Sequence, residues 1–323
     1  MPVQKETILV TEPLIDAPLA WLRGQYTVVE GSSESTAFAS AASRAIGLVV
    51  RTYTRVDASL LDRLPQLRVV ARAGVGVDNI DLVACAARAI PVVHTPDANT
   101  QAVVEYLVSL LAGALRPPTF LDQALTLAQW EALRSRSAPP RQMSEMTLGI
   151  LGCGRIGRRV AQVATAIGFR VLFNDIVPID TVHCGGATRV DLDQLCSESD
   201  VLTFHIDGRP SNRHFVCQRL FDLMRTDVTI VNTCRGMVVD QECIARFLRS
   251  NPTAQALLDV HEPEPITSAS PLLGLRNAHL APHLASRTAT AMANMSWVVR
   301  DVVEVLEGRP PSHQARIHAA CDG

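Results

Sequence analysis

Three side chains in the last third of this 323-residue chain have the types needed to reduce a 2-oxo acid: Arg235 in Asn-Thr-Cys-Arg-Gly, Glu264 in Leu-Asp-Val-His-Glu-Pro-Glu-Pro, and His283 in Ala-Pro-His. That chemistry needs an anchor for the carboxylate, a positive group near the carbonyl, and an acid that protonates the oxygen as hydride arrives. Arginine suits the first two, because its planar fork stays charged and binds carboxylates through two bonds. Histidine suits the third, since its pKa lies near working pH and a neighbouring carboxylate keeps it protonated and oriented. Singly, each has an ordinary alternative: a surface arginine, a hydrogen-bonded core histidine, a solvated loop carboxylate. Their placement separates them from such residues. Arg235 follows an apolar run at 229–232, Glu264 one at 256–260 and His283 one at 279–281, so all three fall past the carboxyl ends of expected strands, the edge where open α/β sheets bind ligands.

A dinucleotide loop precedes them. Gly152-Cys-Gly154-Arg155-Ile156-Gly157 follows a strand-like run from Thr147 and opens a helix expected to reach about residue 167. The first glycine permits the tight turn, the second lets the backbone approach a pyrophosphate, and the third lets helix and strand pack closely. The helix amino terminus adds unpaired N–H groups and partial positive charge. Asp175 ends the next expected strand, where a carboxylate accepts from the adenosine ribose hydroxyls and repels a 2′-phosphate. The following Ile-Val-Pro supplies no arginine to offset that repulsion, so NAD is expected over NADP.

Positioning these residues requires two parallel sheets. Short β-branched runs at 8–10, 27–29, 47–50, 68–71 and 91–94 alternate with helical patterns such as 57–64 and 81–88; a second series runs from Thr147 through 170–174, 201–206, 229–232, 256–260 and 279–281. Between the series, 105–115 reads as an apolar helix and 135–141 as an irregular arm, either a dimer contact or a helix packed on its own domain. Residues 288–306 read as one long amphipathic helix.

Composition agrees with a small-molecule enzyme. The length suits two domains, and the formal charge of −2 gives no electrostatic reason to expect nucleic acid or an acidic membrane as partner. No apolar run approaches a membrane helix and the amino terminus lacks a signal-peptide pattern, so a cytoplasmic protein is expected. The eight cysteines are dispersed, with Cys153 and Cys234 placed in apolar strand-like segments and no Cys-x-x-Cys pair; buried free thiols are expected. His214 and Cys217 could offer two metal ligands, but without a second pair no metal site is expected.

Five segments taken together resemble the D-isomer-specific 2-hydroxyacid dehydrogenases along nearly the whole chain: Ala71-Arg-Ala-Gly-Val-Gly-Val-Asp-Asn-Ile-Asp81, Gly149-Ile-Leu-Gly-Cys-Gly-Arg-Ile-Gly157, Val231-Asn-Thr-Cys-Arg-Gly236, Leu258-Asp-Val-His-Glu-Pro-Glu-Pro265 and Ala281-Pro-His283. The resemblance implies an α/β fold of two doubly wound parallel-sheet domains. A Rossmann NAD-binding domain (99–285, with a dimerisation helix and arm at about 100–146) would be inserted into a flavodoxin-like substrate domain (1–98 and 286–323). It implies Arg235 as carboxylate and carbonyl binder, His283 as acid/base and Glu264 as its partner. Arg155, Ile156, His205, Cys234 and Asp259 would join the glycine loop and Asp175 around NAD, Asp259 against the nicotinamide. The backbone at Val75 and Gly76 would hold the substrate carboxylate.

Within that family, Arg51, Arg72 and Asn99 are most similar to 3-phosphoglycerate dehydrogenases, here as a catalytic core with no regulatory domain, and two substrate-domain arginines suit a second anionic group. The alternative is that Arg51 and Arg72 pair with nearby carboxylates. Where an apolar segment is usual beside the nicotinamide, this chain has His205-Ile-Asp-Gly-Arg-Pro-Ser-Asn-Arg-His214; Arg209 and Arg213 either belong to a solvated loop or recognise an unusual anionic substrate, such as a phosphonate. His261 replaces a common aromatic and Ala285 a frequent glycine. A rival from another class is an NAD(H)-sensing, corepressor-like binding protein. The reading is an NAD-dependent homodimeric oxidoreductase of a D-2-hydroxy acid and its 2-oxo partner.

Overall fold

The computed structural model describes residues 5–315, and the chain divides into two compact units, Met1–Asn99 with Ser286–Gly323, and Thr100–Ala285. In the first, strands β1 (Thr7–Val10), β2 (Thr27–Glu30), β3 (Ala45–Val50), β4 (Val69–Arg72) and β5 (Val92–His94) form a parallel sheet in the order β2-β1-β3-β4-β5. This is the flavodoxin-like order, reversing between β1 and β3. β1 and β3 are buried throughout, which is why they read as continuous apolar runs instead of alternating ones. Val10, Val49 and Val69 pack towards Leu22, Val299 and Val302, while Leu9, Leu48 and Val70 pack towards Phe38, Leu60 and Leu61.

The second unit holds β6 (Thr147–Leu151), β7 (Arg170–Asn174), β8 (Thr188–Arg189), β9 (Val201–Phe204), β10 (Thr229–Asn232), β11 (Gln255–Leu258) and β12 (Ala278–Leu280). All pairings are parallel, in the order β12-β11-β10-β9-β6-β7-β8. The chain runs outward from β6 to β8 and then returns to β9 on the other side. That switch point opens a crevice at the carboxyl ends of β6 and β9, where such sheets bind ligands. The helix Thr100–Leu115 buries Val104, Leu107 and Leu111 in the cluster beneath the helix Arg155–Ile167.

Several sequence expectations need correction. The stretch 288–306 is two helices, Ala289–Ser296 and Val299–Leu306. Around the break, Ser296 Oγ donates to the Met292 carbonyl (2.8 Å) and accepts the Ile15 N–H (3.2 Å), while Trp297 packs edge-on to Trp21 and under Arg300. The expected helix from residue 105 begins at Thr100, and a helix, Leu127–Arg136, with a Thr126/Gln129 capping box, runs into the arm expected at 135–141. It buries none of its residues, so no apolar periodicity announced it. β11 ends at Leu258 instead of residue 260, because its partner β10 turns at Asn232, whose side chain accepts the Cys234 N–H. Cys153 and Cys234 lie in loops just past β6 and β10, not within strands, though both are buried. The seven described cysteines are free thiols. Among the described residues no helix is long and apolar enough to cross a membrane.

Candidate active site

The glycine loop is built by contact as much as by turn geometry. Gly152 sits at φ +91°, and a Cβ there would lie 2.8 Å from the His205 backbone; a Cβ at Gly157 would collide with the Gly152 carbonyl. Gly154, the N-cap of the helix Arg155–Ile167, has open space where its Cβ would stand. A closed inner side and an open outer side at a helix amino terminus fit a pyrophosphate. Arg155 opens the helix and Ile156 packs partly into the core. Just past β7, Asp175 accepts the Cys153 N–H at Oδ2 (2.6 Å) and the Val177 N–H at Oδ1 (3.0 Å), which orients its carboxylate beside the loop. Sequence reasoning missed Arg189, which β8 brings beside Asp175 to donate to its main-chain carbonyl (2.7 Å). Only the β7–β8 pairing reveals it. His205, just past β9, meets Thr203 Oγ1 through Nε2 (3.1 Å), and burial pushes its pKa down to about 4, so the ring is neutral at pH 7.

Past β10 the chain turns on Asn232, whose Nδ2 donates to the Arg235 carbonyl (2.9 Å), and Arg235 Nη1 donates to the Cys234 carbonyl (2.7 Å). Burial pushes the Cys234 thiol up to about 11, which keeps it protonated and unsuited to be a nucleophile. Gly236 must be glycine because a Cβ there would strike the His261 carbonyl, so the Arg235 turn is pressed against the turn that carries Glu264. Glu264 Oε2 meets His283 Nδ1 at 2.9 Å, and its Oε1 accepts the His261 N–H at 2.9 Å. Burial raises the Glu264 pKa, but the His283 hydrogen bond, the His261 N–H and the nearby histidine charges outweigh it and hold the carboxyl below its ordinary value. His283 itself occupies φ +55°, uncommon for a residue with a side chain. Asp259 holds it there: the Asp259 carbonyl accepts the His283 N–H (2.8 Å), and its carboxylate accepts those of Leu284 (2.7 Å) and Ala285 (2.8 Å). The Tyr106 hydroxyl also bonds to this carboxylate; burial first, then Asp259, raises its pKa.

Residues 108–285 match the family model for the D-isomer specific 2-hydroxyacid dehydrogenase NAD binding domain. The chain belongs to the D-isomer-specific 2-hydroxyacid dehydrogenases. Among its relatives are a D-3-phosphoglycerate dehydrogenase of Archaeoglobus fulgidus, 31% identical over 94% of this chain, and a glyoxylate reductase of Aeropyrum pernix, 35% identical over 84% of this chain and 83% of the relative. The chain spans 58% of the length of the phosphoglycerate dehydrogenase. A crystal structure of a Thermus thermophilus protein superposes with a TM-score of 0.81 at 30% identity, covering 96% of this chain and all of the other.

The residues read as substrate-binding lie in the first unit. Arg51 and Arg72 are brought together: Val50 pairs with Arg72 across β3 and β4, and Arg72 Nε donates to the Arg51 carbonyl (3.0 Å). The Arg51 guanidinium reaches the Pro13 carbonyl and the Met292 sulfur, both at 3.0 Å. Burial and the neighbouring Arg287 lower its pKa. Glu12 fixes the loop after β3 by accepting the N–H groups of Arg51, Thr52, Tyr53 and Thr54. The Val75 carbonyl meets His94 Nδ1 at 2.8 Å, with Gly76 next in the same turn. Asn99 carries a buried Oδ1 with no hydrogen-bond partner.

The polar segment 207–214 is a largely exposed stretch whose two arginines meet carboxylates. Arg209 binds Asp207 through Nε (2.7 Å) and Nη2 (2.5 Å), and Arg213 binds Glu262. Among the described residues, no cluster of three or more His, Cys, Asp or Glu is arranged to hold a metal.

Proposed function

We propose that this dehydrogenase interconverts a D-2-hydroxy acid and its 2-oxo acid with NAD, and that its preferred substrates carry a second anionic group. The observation that carries the reaction is the 2.9 Å contact of His283 Nδ1 with Glu264. It commits one ring nitrogen to a carboxylate that stays ionised and leaves Nε2 to exchange a proton with the substrate oxygen. In reduction His283 gives that proton; in oxidation it takes it back. Arg235 binds the substrate carboxylate and polarises the carbonyl. Asp259 acts mainly by holding the backbone that aims His283.

Gly152, Gly154 and Gly157, with the helix amino terminus at Arg155 and Ile156, would hold the pyrophosphate, Asp175 the ribose, and His205 and Cys234 the nicotinamide end. Bound NAD(H) supplies or accepts the hydride at the substrate C2. NAD is preferred to NADP through Asp175, whose main-chain carbonyl Arg189 meets.

The second anion rests on Arg51 and Arg72, with Val75 and Gly76 holding the carboxylate through their N–H groups and Asn99 nearby. In this reading the first unit is the substrate domain and the second the cofactor domain. The chain forms a homodimer through the segment at 100–146, which exposes Phe120, Leu127 and Trp130. Free buried thiols suit a cytoplasmic enzyme.

A panel of NADH-dependent reductions tests the proposal. Glyoxylate, hydroxypyruvate, 3-phosphohydroxypyruvate and a phosphonate-bearing 2-oxo acid are compared by kcat/KM. The expected preference for the doubly anionic acids is at least about tenfold, one good charge-assisted contact, and Arg51→Ala should erase it. Equal values would leave an ordinary hydroxyacid enzyme; no turnover with any acid would favour a corepressor-like NAD(H) sensor.

A further inference from the structure

The turn bearing Glu264 reads His261-Glu262-Pro263-Glu264-Pro265, and its two prolines have no N–H to give. Besides the bonds made by His261 and Glu264, this turn is held through Glu262. The Glu262 carbonyl accepts from Gln241 Nε2, its Oε1 accepts from Arg213 Nη1, and its Oε2 lies 3.5 Å from His214 Nε2. On the other side of the ring, His214 Nδ1 is 3.8 Å from Asp240 Oδ2. Asp240 is itself fixed as the N-cap of the helix Gln241–Ser250, accepting the Glu242 and Cys243 N–H groups at 2.9 and 3.0 Å.

The backbone of the same segment is zipped to the chain that follows Arg235. His214 donates its N–H to the Met237 carbonyl (2.7 Å), and Val216 donates to that of Val238 (3.0 Å). His214 sits at φ +51°, a conformation that needs such support in a residue with a side chain. Upstream, Asp207 gathers Arg209 and Asn212, so the approach to Arg213 is already ordered. One short segment therefore ties the strand end that presents Arg235 to the turn that presents Glu264.

We propose that Arg213 and His214 are positioning residues of the reaction: by holding Glu262 they keep Glu264 within hydrogen-bond reach of His283. The inference rests on Glu264 and His283 being the acid/base pair. The other groups at that pair are His261, whose Nε2 meets the Ala281 carbonyl at 2.8 Å, and Asp259, which holds the His283 backbone. Neither Arg213 nor His214 needs to touch substrate; both act through Glu262.

The test compares wild type, Arg213→Gln/His214→Gln, Arg213→Lys and Glu264→Gln in glyoxylate reduction with NADH across pH, alongside NADH affinity and thermal midpoints. Reduction needs a protonated His283, so kcat/KM falls on the alkaline side. Loosening Glu264 moves that fall to lower pH. The double variant should lose about tenfold in kcat and shift the alkaline limb down by about half a pH unit, in the same direction as Glu264→Gln. NADH affinity should hold, and Arg213→Lys should recover most of the rate. A wild-type limb and kcat in the double variant, with a shifted limb in Glu264→Gln, would overturn the positioning role and leave the acid/base pair intact. An unshifted limb in Glu264→Gln would overturn the pair and the proposal with it. Should the double variant fail to fold, His214→Asn, a residue tolerant of left-handed backbone, is read by the same criteria.

Discussion

Glu12 in the first unit and Asp259 in the second solve one problem in two ways. Each is a carboxylate at the carboxyl edge of a parallel sheet, and each fixes a candidate functional residue by collecting backbone N–H groups. Glu12 takes four in succession, from Arg51 to Thr54, on a loop whose Thr52 and Tyr53 are exposed. Asp259 is buried and takes three, those of His283, Leu284 and Ala285, one through its carbonyl and two through its carboxylate. Water can replace Glu12 at the exposed Thr52 and Tyr53 amides, whereas Ala285, held by Asp259, is buried. The same device is thus a loop clamp in one unit and a rigid mount for a strained histidine in the other.

Breaking the buried mount should cost most. Asp259→Ala leaves the Leu284 and Ala285 N–H groups without their acceptor, the buried one at Ala285 worth about 1–3 kcal/mol, and loosens the backbone after His283, which then keeps only the bond to the residue 259 carbonyl. A drop of at least about 100-fold in kcat is expected, consistent with misplacement of a catalytic group, together with a lower denaturation midpoint. A kcat within a few-fold of wild type would mean that the backbone at His283 holds itself. Asp175 comes next, a carboxylate already holding the Cys153 and Val177 N–H groups. Asp175→Ala should raise the KM for NADH by about tenfold and narrow the NADH over NADPH preference; an unchanged ratio would remove Asp175 from cofactor choice.

Glu12→Ala should cost only about 1–2 kcal/mol, because water can satisfy the exposed amides, and should raise KM for doubly anionic acids more than for glyoxylate. Its pH dependence sharpens the contrast. Burial raises the Glu12 pKa, but the four N–H groups outweigh it and hold it below the ordinary 4.5. A carboxyl depressed in the folded state contributes stability above its unfolded pKa and loses it as pH falls through the folded one. The stability gap between wild type and Glu12→Gln should therefore shrink as pH drops below 4.5; denaturant titrations at several pH values measure it, and a constant gap would count against the clamp.

The contrast also shows what a sequence can disclose. β-branched runs and the glycine spacing expose the two sheets and the cofactor loop, because those signals are local. Arg235, Glu264 and His283 stand out because each follows a strand. Asp259 was legible as a residue near the cofactor but not as the mount for His283, since its bonds span more than twenty residues. Glu12 carried no signal, lying about forty residues from the amides it holds. Arg189 beside Asp175, and Glu262 as the partner of Arg213, likewise depend on pairings no motif encodes. The break at Trp297 was hidden because both helices continue one apolar periodicity, and it is tertiary contacts of Ser296 and Trp297 that accompany the interruption.

The most direct test of the account is the effect of His283→Ala on NADH-dependent reduction of a 2-oxo acid, measured beside NADH affinity by fluorescence titration. Loss of the acid should lower kcat by about 1,000-fold, within the range for general acid catalysis, while NADH affinity stays within about twofold, a change below 0.5 kcal/mol. Turnover within tenfold of wild type, with cofactor binding intact, would contradict the assignment of His283 as the proton donor.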